Sequence, residues 1–194
     1  MCATFAKNNQ EFLSGKLLIA TPTISDESFF SRAVVYVVSH NENGAIGLVI
    51  NHPLSDVNST TIFSSFDIKP TTDIRQMPIY FGGPIEAERG FILHTNDYNK
   101  DPVFKFDNEI SLSSSLQILQ DIAIGRGPDK SIFALGYAGW QDGQLESEIH
   151  SNSWLTIPFS HDLVFASDNT KKWVRAMDSL GINHYTFTSQ AGHA

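Results

Sequence analysis

With 194 residues, 41% of them hydrophobic and fourteen of them Phe, the chain is long enough to bury a sizeable core in a single domain. Its formal net charge of -8 leaves no surplus of Lys and Arg to neutralise phosphates, so direct nucleic-acid binding is not expected. The one cysteine, Cys2, excludes an internal disulfide and a thiolate metal cluster.

Residues 1–14 read as a flexible arm, and residues 15–194 as one domain without an internal linker or repeat. Lys7 to Glu11 stand where a secretory signal needs a continuous apolar stretch, and no apolar run reaches the roughly 20 residues that span a bilayer. A cytoplasmic protein without a membrane partner is therefore expected. Cys2 falls in the arm, where nothing supplies the base or positive charge that makes a thiol reactive.

After Gly15, "KLLIATP" reads as a short strand and "TISDESFFS" as turns. "RAVVYVVSH" and "AIGLVINH" are β-branched runs joined by "NENG", a hairpin at about 33–51 with Gly44 free to take a positive φ. With Asn41 to Gly44 as the loop, paired residue numbers sum to 85. That register places Val35, Val37, Ile46, Leu48 and Ile50 on one face, and Val34, Tyr36, Val38, Gly47 and Val49 on the other. Both faces are apolar, so the hairpin belongs in the middle of a sheet covered on both sides, with a notch where Gly47 opposes Val38. His40 and His52 then lie on the order of 20 Å apart and cannot share a metal ion.

Further on, "DVNSTTIFSSFDI" predicts a short helix, while "MPIYFGGP" and "RGFILHT" predict strands. The segment from Ile110 carries Ser N-caps, Leu116, Leu119, Ile122 and Ala123 at helical spacing, and Gly125 as a stop. "SIFALGYAGW" is a buried strand, and "GQLESEIHSN" a helix starting near Asp142 or Gly143, with the Asp142 carboxylate expected to cap it. "SWLTIPF" and "DLVFAS" read as short strands or extended pieces. "TKKWVRAMDSLGI" is an amphipathic helix with Trp173, Met177 and Leu180 inward and Lys171, Lys172 and Arg175 outward. This irregular alternation predicts an α+β fold: one compact domain with a mixed, mostly antiparallel sheet, the hairpin at its centre and three or four helices around it.

"ATPTISDESFFSRAVVYVVSHNENGAIGLVIN", "YFGGPIEAERGFILHT", "ALGYAGWQDGQLESEIHSNSWL" and the terminal "AGHA" together resemble the YqgE/AlgH family, in the same order and over nearly the whole chain after Gly15. The resemblance implies a compact α+β domain from a bacterium, in a family whose members often carry the label of transcriptional regulator. It has no agreed catalytic residues, so none is carried over.

Three glycine-bearing bends supply the candidate ligand-binding residues. His40, Asn41 and Asn43 could form a donor and acceptor cluster, or simply the chemistry of a turn. Gly82 and Gly83, with Arg89, could form an anion-holding nest of amides, or a strand-end corner. Tyr137 and Trp140 could wall a cleft, or fill the core; His94 would approach His40 if the strands align. The glycines around "GYAGWQDG" match neither dinucleotide nor Walker spacing, and Glu146 and Glu148, two apart, point to different sides of a helix. No serine-hydrolase or zinc signature occurs, and no cofactor or metal is expected.

Three functions fit these residues. The preferred one is a non-enzymatic regulatory module that binds a small ligand or a protein where the three bends meet. An enzyme with His40 or His94 as general base in a strand-end cleft is the alternative. A transcriptional regulator is the second alternative. In that case direct DNA contact is disfavoured, because the helices ending near Gly125 and starting near Gly143 are separated by a strand and cannot form a helix-turn-helix.

Overall fold

A computed structural model describes residues 12–71, 77–106, 110–166 and 168–182. Most of the predicted arm, Cys2 and the terminal "AGHA" lie outside the described residues. The chain forms an α+β fold around one large, mostly antiparallel sheet. Its elements in order are β1 (Leu17–Ala20), β2 (Val34–Asn41), β3 (Gly44–Val49), β4 (Pro53–Asn58), α1 (Ser59–Ser65), β5 (Pro78–Phe81), β6 (Ile85–Thr95) and β7 (Phe104–Lys105). They continue with β8 (Ile110–Ser113), α2 (Leu116–Ala123), β9 (Ser131–Trp140), α3 (Gln144–His150), β10 (Trp154–Ile157), α4 (His161–Val164) and α5 (Asn169–Ser179).

The main path of the sheet runs β10-β1-β2-β3-β9-β6-β8-β7, so the hairpin of β2 and β3 is central, as its two apolar faces require. One face packs Val34, Tyr36, Leu48 and Ile50 against Leu163 and Val164 of α4 and Trp173, Ala176 and Met177 of α5. The other face is divided. Val35, Val37 and Val49 lie with Leu145 of α3, whereas Ile92 and Phe133 lie with Phe63 of α1 and Ile118 and Leu119 of α2. β9 is the hub, because β3 and β5 both pair along one of its edges and β6 along the other.

The hairpin register corrects the sequence expectation. His40 pairs with Ala45 and Asn41 with Gly44, sums of 85, but Val35 pairs with Val49 and Tyr36 with Leu48, sums of 84. The shift lies between Val37 and Ser39, where Val38 is an extra residue, a β-bulge. Leu48 and Ile50 consequently pack with Tyr36 and Val34 instead of Val35 and Val37, and Gly47 opposes Val37 instead of Val38. No notch remains at Gly47, since a Cβ there would meet Val35 Cγ1 at 2.5 Å and the Trp140 ring at 3.3 Å.

Other differences share one cause: partners far along the chain outweigh local pattern. "DLVFAS" holds the single helical turn α4, with Ser160 Oγ accepting from Leu163 N–H, instead of a strand. Ile110–Ser113 pairs with β6 as a strand, and α2 begins only at Leu116. In α2 it is Ile118, Leu119, Asp121 and Ala123 that are buried, while Leu116 is 42% exposed. Gly143, not Asp142, is the N-cap residue of α3, and no side chain caps that helix.

The largest departure is in α5. Lys172, expected outward, is 1% exposed, and Leu180, expected inward, is 38% exposed. The Lys172 ammonium donates to Ile50 O at 3.0 Å and lies 5.3 Å from the centre of the Tyr80 ring, whose hydroxyl donates to Asn169 Oδ1 at 2.9 Å. Burial lowers its pKa to about 8.

Candidate functional site

Each of the three bends adjoins β9, but they do not share one face of it. Ala45 beside the 41–44 turn pairs with Trp140 of β9. Gly82 N–H donates to Leu135 O at 2.8 Å, and Gly82 O accepts from Val49 N–H at 2.9 Å. At Gly83 an added Cβ would lie 2.1 Å from the Tyr137 carbonyl carbon. Gly136, at φ 71, is equally constrained, because its Cβ would lie 2.3 Å from Gly83 O. The glycines therefore let backbone pack on backbone, and the Gly82 amide is committed to the sheet instead of an anion.

Gly136 also changes which way β9 faces. Ile132 and Ala134 share the core with Tyr137, whereas Ala138 and Trp140 lie in the opposite core. Tyr137 and Trp140 are thus on different sides of the sheet. On the Tyr137 side, β6 bulges between Ile85 and Gly90, and the Tyr137 hydroxyl donates to Glu86 at 3.3 Å. Arg89 donates to Glu86 at 2.9 Å and lies 5.1 Å from the centre of the Phe91 ring. The bond from Arg89 holds the Glu86 carboxyl below its usual range, and burial with the Glu86 charge raises the Tyr137 phenol.

On the Trp140 side the polar groups are held by α3. Trp140 and Trp154 both donate their indole N–H to Glu148 Oε2, at 2.9 and 2.8 Å, and Gln144 donates to Oε1 at 2.8 Å. His40 is 4% exposed. Leu13 N–H donates to its Nδ1 at 3.1 Å, which puts the ring hydrogen on Nε2, and this donates to Glu146 Oε1 at 2.9 Å. Phe12 meets the His40 ring edge-on at 5.4 Å, so the described end of the predicted arm is packed against the domain. Asn41 Oδ1 accepts from Asn43 N–H at 2.8 Å, a side chain closing its own turn.

His94 is not a neighbour of His40. It pairs with Ser131 at the start of β9, whereas His40 pairs through Ala45 with Trp140 at the end, nine residues on. The separation is on the order of 30 Å along the strand direction. His94 is fully buried; its Nδ1–H donates to Thr95 O at 2.9 Å, so Nε2 accepts the Ser113 hydroxyl at 2.9 Å. Burial lowers its pKa and keeps the ring neutral.

A cavity of about 270 Å³ lies elsewhere, in the gap between α1 and α2 on the sheet. Ile92, Phe133 and Leu135 form its floor, and Ile62 and Phe66 one wall. Leu116 and Leu119 form the other wall, with Ser114, Ser115 and Glu88 as its polar lining. Gly90 shapes the floor, since a Cβ there would lie 2.7 Å from the tip of the Phe133 ring. Ser115 occupies the N-cap position of α2, yet its hydroxyl makes no capping bond. Ser115 Oγ is buried without a hydrogen-bond partner among the described residues.

The sequence reading missed this cavity because its walls are ordinary apolar residues from four separated elements. The unused signal was Ser114-Ser115-Leu116 between a strand and a helix, combined with large apolar residues left exposed. Phe66 and Leu116 are 52% and 42% exposed. Among the described residues no group of three His, Cys, Asp or Glu side chains could hold a metal ion. No described helix is long and apolar enough to cross a membrane.

Comparison with known proteins agrees on the family. The chain is 43% identical over 182 residues to the UPF0301 protein RP032 of Rickettsia prowazekii, covering 94% of this chain and 96% of that one. It is 42% identical over the same length and coverage to a UPF0301 protein of Rickettsia massiliae. The solution structure of the AlgH protein from Pseudomonas aeruginosa superposes with a TM-score of 0.76 at 38% identity, over 98% of this chain and all of that one. Protein DIP2367 from Corynebacterium diphtheriae, at 20% identity and a TM-score of 0.66 over 87% of each chain, shares the fold. An AlgH-like family model matches residues 17–185. On this extent of similarity, the chain belongs to the AlgH-like family.

Proposed function

We propose that this protein is a non-enzymatic binding module whose small ligand occupies the cavity between α1, α2, β6 and β9. One observation carries the reading: a concave, largely apolar space of about 270 Å³ whose few polar lining residues are Ser114, Ser115 and Glu88. Ligand sites have this character, with apolar walls and a few polar groups that fix orientation, and drug-sized ones run from roughly 300 to 1,000 Å³. The volume suits a molecule smaller than a nucleotide. Catalysis fits less well, because a general base must reach a substrate proton. The buried His40 and His94 rings both have other partners, and neither lines this cavity.

Small apolar probes test the reading. Indole or cyclohexanol added to ¹⁵N-labelled protein should shift the amides of residues 114–119 and 133–135, and Leu119→Trp, which fills the space, should abolish those shifts. Absence of any response at these amides would dismiss the cavity as a binding site. A thermal-shift screen against metabolites then searches for the natural occupant, and gel shifts at physiological salt test direct DNA binding.

A further inference from the structure

We propose that a second copy of this chain docks, about a twofold axis, on the exposed end of the sheet around Ile46, Ile85 and Tyr137, with Arg89 of each copy bonded to the partner's Glu86. This surface lies on the opposite face of the sheet from the cavity, so the proposal stands apart from the binding-module reading.

The apolar part of the surface begins where the helical cover of the central hairpin runs out. Leu48 and Ile50 are 1% and 0% exposed in the core shared with α4 and α5. Ile46 follows on the same face by alternation, yet it is 40% exposed. It pairs with Gly139 of β9, and a Cβ on Gly139 would lie 2.7 Å from Ile85 Cδ1 and 3.9 Å from the Tyr137 ring. Ile85, also 40% exposed, therefore rests over Gly139 on the Tyr137 side of the strand. Two aliphatic side chains and an aromatic ring gathered around one glycine form an apolar centre, the part of an interface that gains most from burial.

The polar part says what can cover it. On the bulge of β6, next to Ile85, Glu86 accepts from the Tyr137 hydroxyl at 3.3 Å and from Arg89 at 2.9 Å. The Glu86 and Arg89 side chains are 45% and 53% exposed, so both charges remain open to a partner. Arg89 commits one of its five N–H donors to this bond among the described residues, and its guanidinium lies 5.1 Å from the centre of the Phe91 ring. The remaining donors can reach a second carboxylate without breaking the first bond. A purely acidic partner would be repelled by Glu86, and a purely basic one by Arg89. The same surface on a second copy presents both signs, and a twofold rotation reverses their order, so that each Arg89 faces the partner's Glu86. Net charge points the same way. At -8 per chain two copies repel at long range, and a face whose ion pair is balanced is one on which they can meet.

Sedimentation of the full chain tests the proposal, with concentration raised to about 1 mM because a small interface is expected to be weak. The unaltered chain should show a monomer–dimer equilibrium, and Ile46→Thr, which keeps a β-branched residue on the strand, should weaken it. Arg89→Glu and Glu86→Arg should each lower self-association about tenfold or more, by setting like charges against each other across the axis. Mixed in equal amounts, these two variants should recover a dimer, because one then offers two carboxylates and the other two guanidinium groups. Such recovery reads contact between copies, which a variant that merely unfolds or loses its internal ion pair could not give. An unaltered chain that stays monomeric overturns the proposal and leaves the surface to another occupant. A dimer unchanged by both charge reversals overturns it too, as does a mixture that associates no better than its parts.

Discussion

Two regions of the molecule differ in how they treat polar groups. At the junction of β3, β9 and α3, the polar side chains in question are bonded: His40 to Leu13 and Glu146, and both Trp140 and Trp154 to Glu148. In the gap between α1 and α2, a hydroxyl is buried without a partner beside open apolar walls. The first region draws attention in the sequence because it is rich in His, Trp, Asn and Gly. Those residues serve to join segments of backbone. Bonded, packed groups have little left to offer a ligand, and unfinished packing among plain apolar residues has more.

Four changes break or sharpen this contrast. The largest effect is expected at the junction's tightest point. Gly136→Ala places a Cβ 2.3 Å from Gly83 O at a φ of 71, and should cost about 4 kcal/mol in urea unfolding. Glu148→Ala orphans two buried indole N–H groups, with about 3 kcal/mol lost and the emission of Trp140 and Trp154 altered; unchanged stability would mean that the clamp is dispensable.

Third comes Lys172, buried against the core on the other face of the sheet. Its pKa is lowered to about 8 in the folded protein, against about 10.5 when unfolded, so between these values the unfolded chain binds more protons. Stability should therefore rise from pH 8 towards pH 10, with a ceiling on the order of 3 kcal/mol. Above that range the buried Tyr80 phenol, whose pKa is raised, opposes the trend, because there the folded state holds the extra proton. Lys172→Met should flatten the rise in denaturation curves taken across this window.

The smallest expected effect is local. His40→Phe removes the acceptor for Leu13 N–H and the donor to Glu146. It should cost about 1 kcal/mol globally, while amide exchange at Leu13 accelerates. If that amide stays protected, the described end of the arm is held by packing of Phe12 and Leu13 alone.

Much of the fold was legible because period and punctuation are local. Alternating β-branched residues around "NENG" gave the central hairpin, and α5 showed its stripe through Trp173 and Met177. The Asn41 side chain accepts from Asn43 N–H, the turn chemistry that was one of the two readings open for these residues. The site was less legible. Whether Tyr137 and Trp140 share a face depends on the backbone at Gly136, and whether His94 approaches His40 depends on the pairing partners of β9.

The sequence by itself determined the α+β class, the central position of a hairpin apolar on both faces, and the family, since composition, periodicity and ordered motifs do not depend on distant contacts. Tertiary structure alone decided the bulge at Val38, the burial of Lys172 beneath Tyr80, and the cavity between α1 and α2. Each arises where residues far apart along the chain must share one volume, and close packing there is settled by shape and by bonding of buried polar groups, which no local pattern encodes.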